Sequence, residues 1–326
     1  QLFTIEDVTG PVQELQPEIV REVDAQRRMI IGNMPHIDIG PHCEDPYPCD
    51  FMGHCWKHIP EDSVFDLRGR GVDKFALYSK GIIRQSEIPL DQLNCAQRFQ
   101  VESTICQQDY IDREKVGQFV ADLWYPLCFL DLETVNPAIP LFDGCRPYGR
   151  MPFQFSLHIR NSPDAELQHF EYLAQPFTDP RPELLRLLLE HIPADSCIIA
   201  WNQAFETGVL RELGECFPIH KSRIDGMIEN FRDLMQPFRS RDIYFWQSKG
   251  SYSIKPNLPL IVPELSYEKL DGVSNGGDAM DAYYSMNSAS NAIELESIRK
   301  QLLAYCKLDT EAMVRILDRI QQMLTE

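Results

Sequence analysis

Residues 127–134, Leu-Cys-Phe-Leu-Asp-Leu-Glu-Thr, restrict this chain more than any other stretch. The run is apolar enough to read as a buried strand, yet it carries two carboxylates two residues apart. Side chains alternate faces along a strand, so Asp131 and Glu133 point the same way as Leu127 and Phe129, while Cys128, Leu130 and Leu132 take the other face. Acidic residues are depleted in strands, and burying charge is costly unless a partner offsets it. Two neighbouring carboxylates repel, so the position calls for a cation. A hard divalent ion such as Mg²⁺ takes oxygen ligands of this kind. The strand is therefore expected to form one edge of a metal site, with the rest of the chain supplying the remainder.

The segments downstream of this strand set the fold class. A Pro/Gly-rich loop over Ala138–Arg150 leads into Phe153–Ile159, where Phe153, Phe155, Leu157 and Ile159 alternate with Gln154, Ser156 and His158. That pattern predicts a half-buried strand. His169–Leu173 adds a third, completing an antiparallel meander. Pro182–Ile192 reads as an apolar helix with Pro182 in its first turn. Ser196–Trp201 is continuously apolar and short, as expected for a buried parallel strand reached by a helical crossover. The order β-β-β-α-β-α resembles the plan of a ribonuclease H-like sheet. The expected class is α/β: a mixed sheet flanked by helices over residues 124–326, preceded by a mainly helical extension, residues 1–123, that carries a cysteine-rich loop.

Two further acidic motifs occur in this frame. Asn202-Gln-Ala-Phe205-Glu206 directly follows the parallel strand, where open α/β sheets place their ligands; taken singly, Glu206 is a first-turn acid favoured by the helix dipole. Glu294–Gln322 reads as one or two long helices in which Tyr305 and Asp309, four apart, share a face. Together the three motifs resemble the DnaQ-like, or DEDD, 3′–5′ exonuclease superfamily. The family's Asp-x-Glu is matched by Asp131 and Glu133. Its Asn-x-x-Phe/Tyr-Asp is matched from Asn202 to Glu206, with Glu in place of Asp, and its Tyr-x3-Asp by Tyr305 and Asp309, the tyrosine variety. Other phrases, including Arg146-Pro-Tyr and Gly250-Ser-Tyr-Ser-Ile-Lys255, resemble an uncharacterised bacterial family joining a RecB-like cysteine-cluster module to such a domain. The resemblance implies two Mg²⁺ or Mn²⁺ ions held by Asp131, Glu133, Glu206 and Asp309, with Tyr305 orienting the attacking water. It also implies 3′ ends of single-stranded DNA or RNA as the partner. Asn202 and Lys255 are secondary candidates for substrate contact, and Trp201, Trp246 and Tyr252 for base stacking, against plain core packing. Asp233 reads as a structural cap or turn acid.

Upstream, Pro17–Met29 predicts a helix whose stripe of Ile19, Val20, Val23 and Ile30 suits packing. Residues 59–123 look helical. Cys43, Cys49 and Cys55 recur at Cys-x5-Cys-x5-Cys in a loop broken by Pro and Gly, a setting for a metal or an iron–sulfur cluster. His42, His54 or His58 could complete a zinc site, a fourth cysteine could lie upstream of Gln1, or the thiols could be free. The triplet resembles that of RecB/AddB-type nucleases with a 4Fe-4S cluster, which implies an upstream nuclease-like module. The chain opens on Gln1 rather than Met, as a fragment or processed product would.

Composition bounds the alternatives. Most of the ten cysteines sit singly in apolar or helical segments, which fits reduced, cytoplasmic usage. No apolar run is long enough to span a bilayer. The net charge of −18 disfavours a broad basic surface for duplex DNA, so nucleic-acid contact has to be local or bridged by metal ions. A hydrolase of the Gly-x-Ser-x-Gly type lacks its motif. The competing expectation is a non-catalytic module that binds a nucleic-acid end or a protein, with the acidic site a remnant and the cysteine loop structural.

Overall fold

The structure, a computed structural model, describes residues 4–325. The chain divides into two compact units: one runs to Phe65 and takes in Asp73–Ile88, and the other combines Asp66–Val72 with the chain from Pro89 onward. The unit that holds the sheet thus begins before the expected division at 123/124. Helix Arg113–Ala121 packs within it, where Arg113 donates to the Met323 carbonyl, and Tyr110–Ile111 pairs with Ile243–Tyr244.

The first unit carries a helix over Thr9–Ile31, longer at both ends than expected, and none of its residues is buried. The expected packing role of Ile19, Val20, Val23 and Ile30 is therefore corrected: all four are exposed. Polar and charged residues dominate this helix, with Arg21–Glu18 and Arg27–Asp24 paired one turn apart. The stretch 59–123 is less helical than its sequence suggests. Its α-helices are confined to Lys74–Ser79, Cys95–Cys106 and Arg113–Ala121, separated by 3-10 turns and by Gly69, Gly71 and Gly81 at positive φ.

In the second unit a mixed sheet of five strands lies between helices. Its strands are β1 (Leu127–Val135), β2 (Met151–Arg160), β3 (Gln168–Leu173), β4 (Cys197–Ala200) and β5 (Phe231–Asp233), ordered β3-β2-β1-β4-β5. The first three form the antiparallel meander, and β4 and β5 add in parallel. The helices are α1 (Arg181–His191), α2 (Gln203–Cys216), α3 (Lys221–Glu229), α4 (Ile254–Ile261), α5 (Gly276–Met286) and α6 (Ala292–Thr325). On one face Cys128, Leu130 and Leu132 meet Leu184, Leu188, Val209 and Leu213, so α1, α2 and α3 cover that side. On the other, Leu127 and Phe129 meet residues of α4, α5 and α6. Burial of both faces explains why β4 is apolar throughout and why β1 is apolar except at Asp131, Glu133 and Thr134.

β2 departs from the alternation read in the sequence. Its register against β1 shifts between Glu133 and Thr134, with Glu133 opposite Gln154 and Thr134 opposite Pro152. Phe153 is the unpaired extra residue of a β-bulge. It leaves the side of Phe155, Leu157 and Ile159 and joins the opposite core, stacked on Tyr283 at 4.3 Å. The polar side of β2 is buried as well, so the strand is not half-buried. Its polar residues face α6: Gln154 Nε2 donates to the Leu302 carbonyl at 2.8 Å, Ser156 and His158 hydrogen-bond Thr310 at 2.7 and 2.8 Å, and Arg160 pairs with Asp318. His158 and His169 stack at 4.4 Å, and burial pushes them down to about 3 and about 4. Both are neutral hydrogen-bonding groups of the interior at neutral pH.

Candidate metal centre

Three carboxylates meet where β1 runs beside α6. Oxygen atoms of Asp131, Glu133 and Asp309 lie within 4.8 Å of one another, a spacing that one ion could bridge. The strand period puts Asp131 and Glu133 on one face, and the contacts of β2 with α6 hold the helix against that face. The helical i,i+4 spacing then presents Tyr305 and Asp309 to the same cleft. The cleft has a volume of about 210 Å³, and its walls include Trp201, Asn202, Phe205, Glu206 and Lys255 besides the groups just named.

Glu206 arrives from the parallel side of the sheet. β4 ends at Ala200, the chain turns through Asn202 in the left-handed region (φ 75°), and α2 begins at Gln203. Asparagine tolerates that conformation better than most residues. Asp233, at the end of β5, fixes the turn: its Oδ1 accepts from the backbone N–H groups of Asn202 at 3.0 Å and Met235 at 3.1 Å, the structural role expected of it. Glu206 is 2% exposed, and its Oε2 has no hydrogen-bond partner among the described residues. A buried carboxylate oxygen left unpartnered costs free energy, and here it belongs to a group that the Asp131 charge reaches. Two residues on, Gly208 gives room to the Arg150 guanidinium, which Glu212 holds; a Cβ there would lie 2.6 Å from it, so a larger residue would have to displace that ion pair.

The acids shift one another. Burial pushes Asp131 up to about 6, opposed by its contact with the Cys306 thiol, Sγ to Oδ2 at 3.3 Å, and by the Lys255 charge. Glu133 rises well above the carboxylate range through burial and the charges of Asp131 and Asp309. Burial and Asp131 raise Asp309, although the Tyr267 hydroxyl donates to its Oδ1 at 2.5 Å. Glu206 rises through burial and then Asp131. Burial, followed by Asp309, raises Tyr305, which keeps its phenol protonated at neutral pH. Four acids held this closely are mutually unfavourable as anions, and a bound cation would lower all four.

The five primary candidates Asp131, Glu133, Glu206, Tyr305 and Asp309 thus share one cleft with Asn202 and Lys255. Trp201 lines it too, its Nε1 donating to the Tyr252 carbonyl at 3.2 Å. Trp246 does not line it. Sequence reasoning missed Tyr267, which sits 42 residues from the Asp309 that it bonds. It also missed the bond from Cys306 to Asp131, whose only signal was adjacency to Tyr305. The cysteine loop is different. Cys43 closes one short turn and Cys55 another. Among the described residues neither the three thiols nor His42, His54 and His58 form a set of three ligand atoms within 4.8 Å. His58 is engaged elsewhere, its Nε2 hydrogen-bonded to the Tyr78 hydroxyl at 2.9 Å.

A family described as a domain of unknown function (DUF2779) matches residues 128–253, less than half of the chain. The match takes in Asp131, Glu133, Asn202 and Glu206 and stops short of Lys255, Tyr305 and Asp309. No curated protein and no solved structure matches. Among the described residues, no helix is long and apolar enough to cross a membrane.

Proposed function

We propose that this chain is a divalent-metal-dependent 3′–5′ exonuclease that hydrolyses phosphodiester bonds of single-stranded nucleic acid, built on a ribonuclease H-like sheet of the DnaQ-like type. One observation carries the reading: the oxygens of Asp131, Glu133 and Asp309 converge within 4.8 Å, next to a buried Glu206 whose Oε2 is unpartnered. The order β3-β2-β1-β4-β5 supports the fold assignment, with the paired acids on the central strand, Glu206 after the adjacent parallel strand, and Tyr305 and Asp309 on the closing helix.

The donor set fits Mg²⁺ or Mn²⁺, because it consists of carboxylate oxygens and contains no thiolate or imidazole. Asp131, Glu133 and Asp309 would hold one ion, and Glu206 would share Asp131 with a second. When bound, two such ions supply positive charge at the scissile phosphate and favour deprotonation of the attacking water. The chain's own residues do the positioning. Tyr305 stays protonated and acts as a hydrogen-bonding group that orients water, not as a base. Glu206, a methylene longer than the family's aspartate, starts from the first turn of α2 and still reaches the field of Asp131. Trp201 and Phe205 give the cleft an aromatic side against which a terminal base can stack.

The test is a time course on 5′-labelled single-stranded DNA and RNA with Mn²⁺, Mg²⁺ or EDTA, with Asp131→Asn protein beside the wild type. A ladder shortening from the 3′ end, abolished by EDTA and by the substitution, is the expected result. Intact label under every metal condition would refute it and leave a module that binds a nucleic-acid end or a protein without cleaving.

A further inference from the structure

We propose that Lys255 grips the substrate's phosphate in the cleft, an inference that rests on the phosphodiesterase reading above. Lys255 lies in the first turn of α4 and is the one cation among the residues lining the cleft, against four carboxylates. Its charge acts on Asp131, Glu133 and Asp309. A lysine serving only to neutralise these acids would sit on one of them. Lys255 instead forms no ion pair within 4.0 Å among the described residues. Its Nζ donates to the Ser274 carbonyl at 2.6 Å and stands 5.3 Å from the ring centres of both Tyr267 and Tyr305.

That mounting is built from the site itself. The Tyr267 hydroxyl is bonded to Asp309, and Tyr305 lies one turn before Asp309 on α6, so the groups that place the acids also place the ammonium. Cation–π contact with two rings and one carbonyl holds the charge in place. Among the described residues its other N–H bonds have no protein acceptor. A cation held beside carboxylates yet clear of them leaves space for an anion to enter between. The anion of the proposed substrate is the phosphodiester backbone, and an ammonium is a compact point charge suited to a non-bridging oxygen. The chain's charge of −18 makes such a local contact the more necessary, because the overall field repels a polyanion.

The experiment compares wild type, Lys255→Met and Lys255→Arg. Methionine keeps an apolar stem of similar length, and Lys255→Gln replaces it if the methionine variant does not fold. Steady-state degradation is measured alongside Mn²⁺ titration, and single-strand binding is followed over a salt series in an Asp131→Asn background. Removing the charge should raise KM about tenfold to a hundredfold, as loss of a charge-assisted hydrogen bond does, with a smaller effect on kcat. It should also flatten the slope of log affinity against log salt by about 0.7 for a single strand. Arginine should recover most of the loss. Unchanged KM and salt slope in a folded variant would overturn the proposal, as would loss of Mn²⁺ binding, which marks a structural role. If the wild type degrades nothing with either metal, the phosphodiesterase reading falls and takes this inference with it.

Discussion

Asp131→Asn should stabilise the metal-free protein even as it abolishes the proposed activity. Asp131 is held at about 6 against an ordinary 3.8, chiefly by burial. That rise is about two pH units, and at about 1.4 kcal/mol each the charged side chain costs the fold about 3 kcal/mol. Proton binding sets the sign. A carboxyl whose folded pKa is raised binds its proton more tightly in the native state. Its cost is therefore complete above about pH 6, shrinks as pH falls through that value, and is gone below about 4. In EDTA at pH 8, Asp131→Asn should be more stable than wild type by about 3 kcal/mol, or about 6–12 °C in Tm for a unit of this size. At pH 5 the gap should narrow to about half. Saturating Mn²⁺ should reverse the ranking, since the wild type gains the full binding energy of the ion and the variant has lost a ligand. Circular dichroism melts in the four combinations of pH and metal, for both proteins, provide the measurement. A variant as stable as wild type, or less stable, in EDTA at pH 8 would refute the claim that these acids strain the metal-free fold.

Two further outcomes concern the scaffold. Thr310→Val should cost about 2–4 kcal/mol in urea denaturation, because it leaves the buried Ser156 hydroxyl and His158 Nδ1 short of a partner; restoration by Thr310→Ser would tie the loss to the hydroxyl. Phe129→Ala, at a side chain with no exposed surface in the middle of β1, should cost about 3–5 kcal/mol by the same assay, and a loss under 1 kcal/mol would mean that this core is not packed as described.

Much of the sheet can be read from the sequence because its signals are local. Apolar runs and alternation locate β1, β2, β3 and β4 to within two residues at each end, and the Tyr305–Asp309 pair fixes the face of α6 that turns to the cleft. β5 is not legible: its three residues, Phe231–Asp233, are too short for a period to show. The side on which Phe153 lies escapes the alternation because a bulge is a property of two strands, and the shift is set by what β1 offers opposite it. The polar stripe of β2 reads as solvent-facing for a similar reason. Polarity marks a need for hydrogen-bond partners, and only the fold shows that α6, about 150 residues later, supplies them. At the site the acids declare themselves by being out of place in an apolar strand, whereas Tyr267 and Ser274, which hold Asp309 and Lys255, look ordinary in a loop.

The contacts of α6 with β2 fall at Leu302, Thr310 and Asp318, at intervals of eight residues. They behave as the teeth of a rack. At about 1.5 Å per residue, a slip of even one position would disengage all of them together. Asp309 sits next to the middle tooth and cannot creep along the helix axis to suit an ion of another size. Any such accommodation has to come from the Glu206 side, where a longer side chain hangs from the start of a helix. The cleft is thus half fixed and half adjustable, and Glu206 falls on the adjustable half.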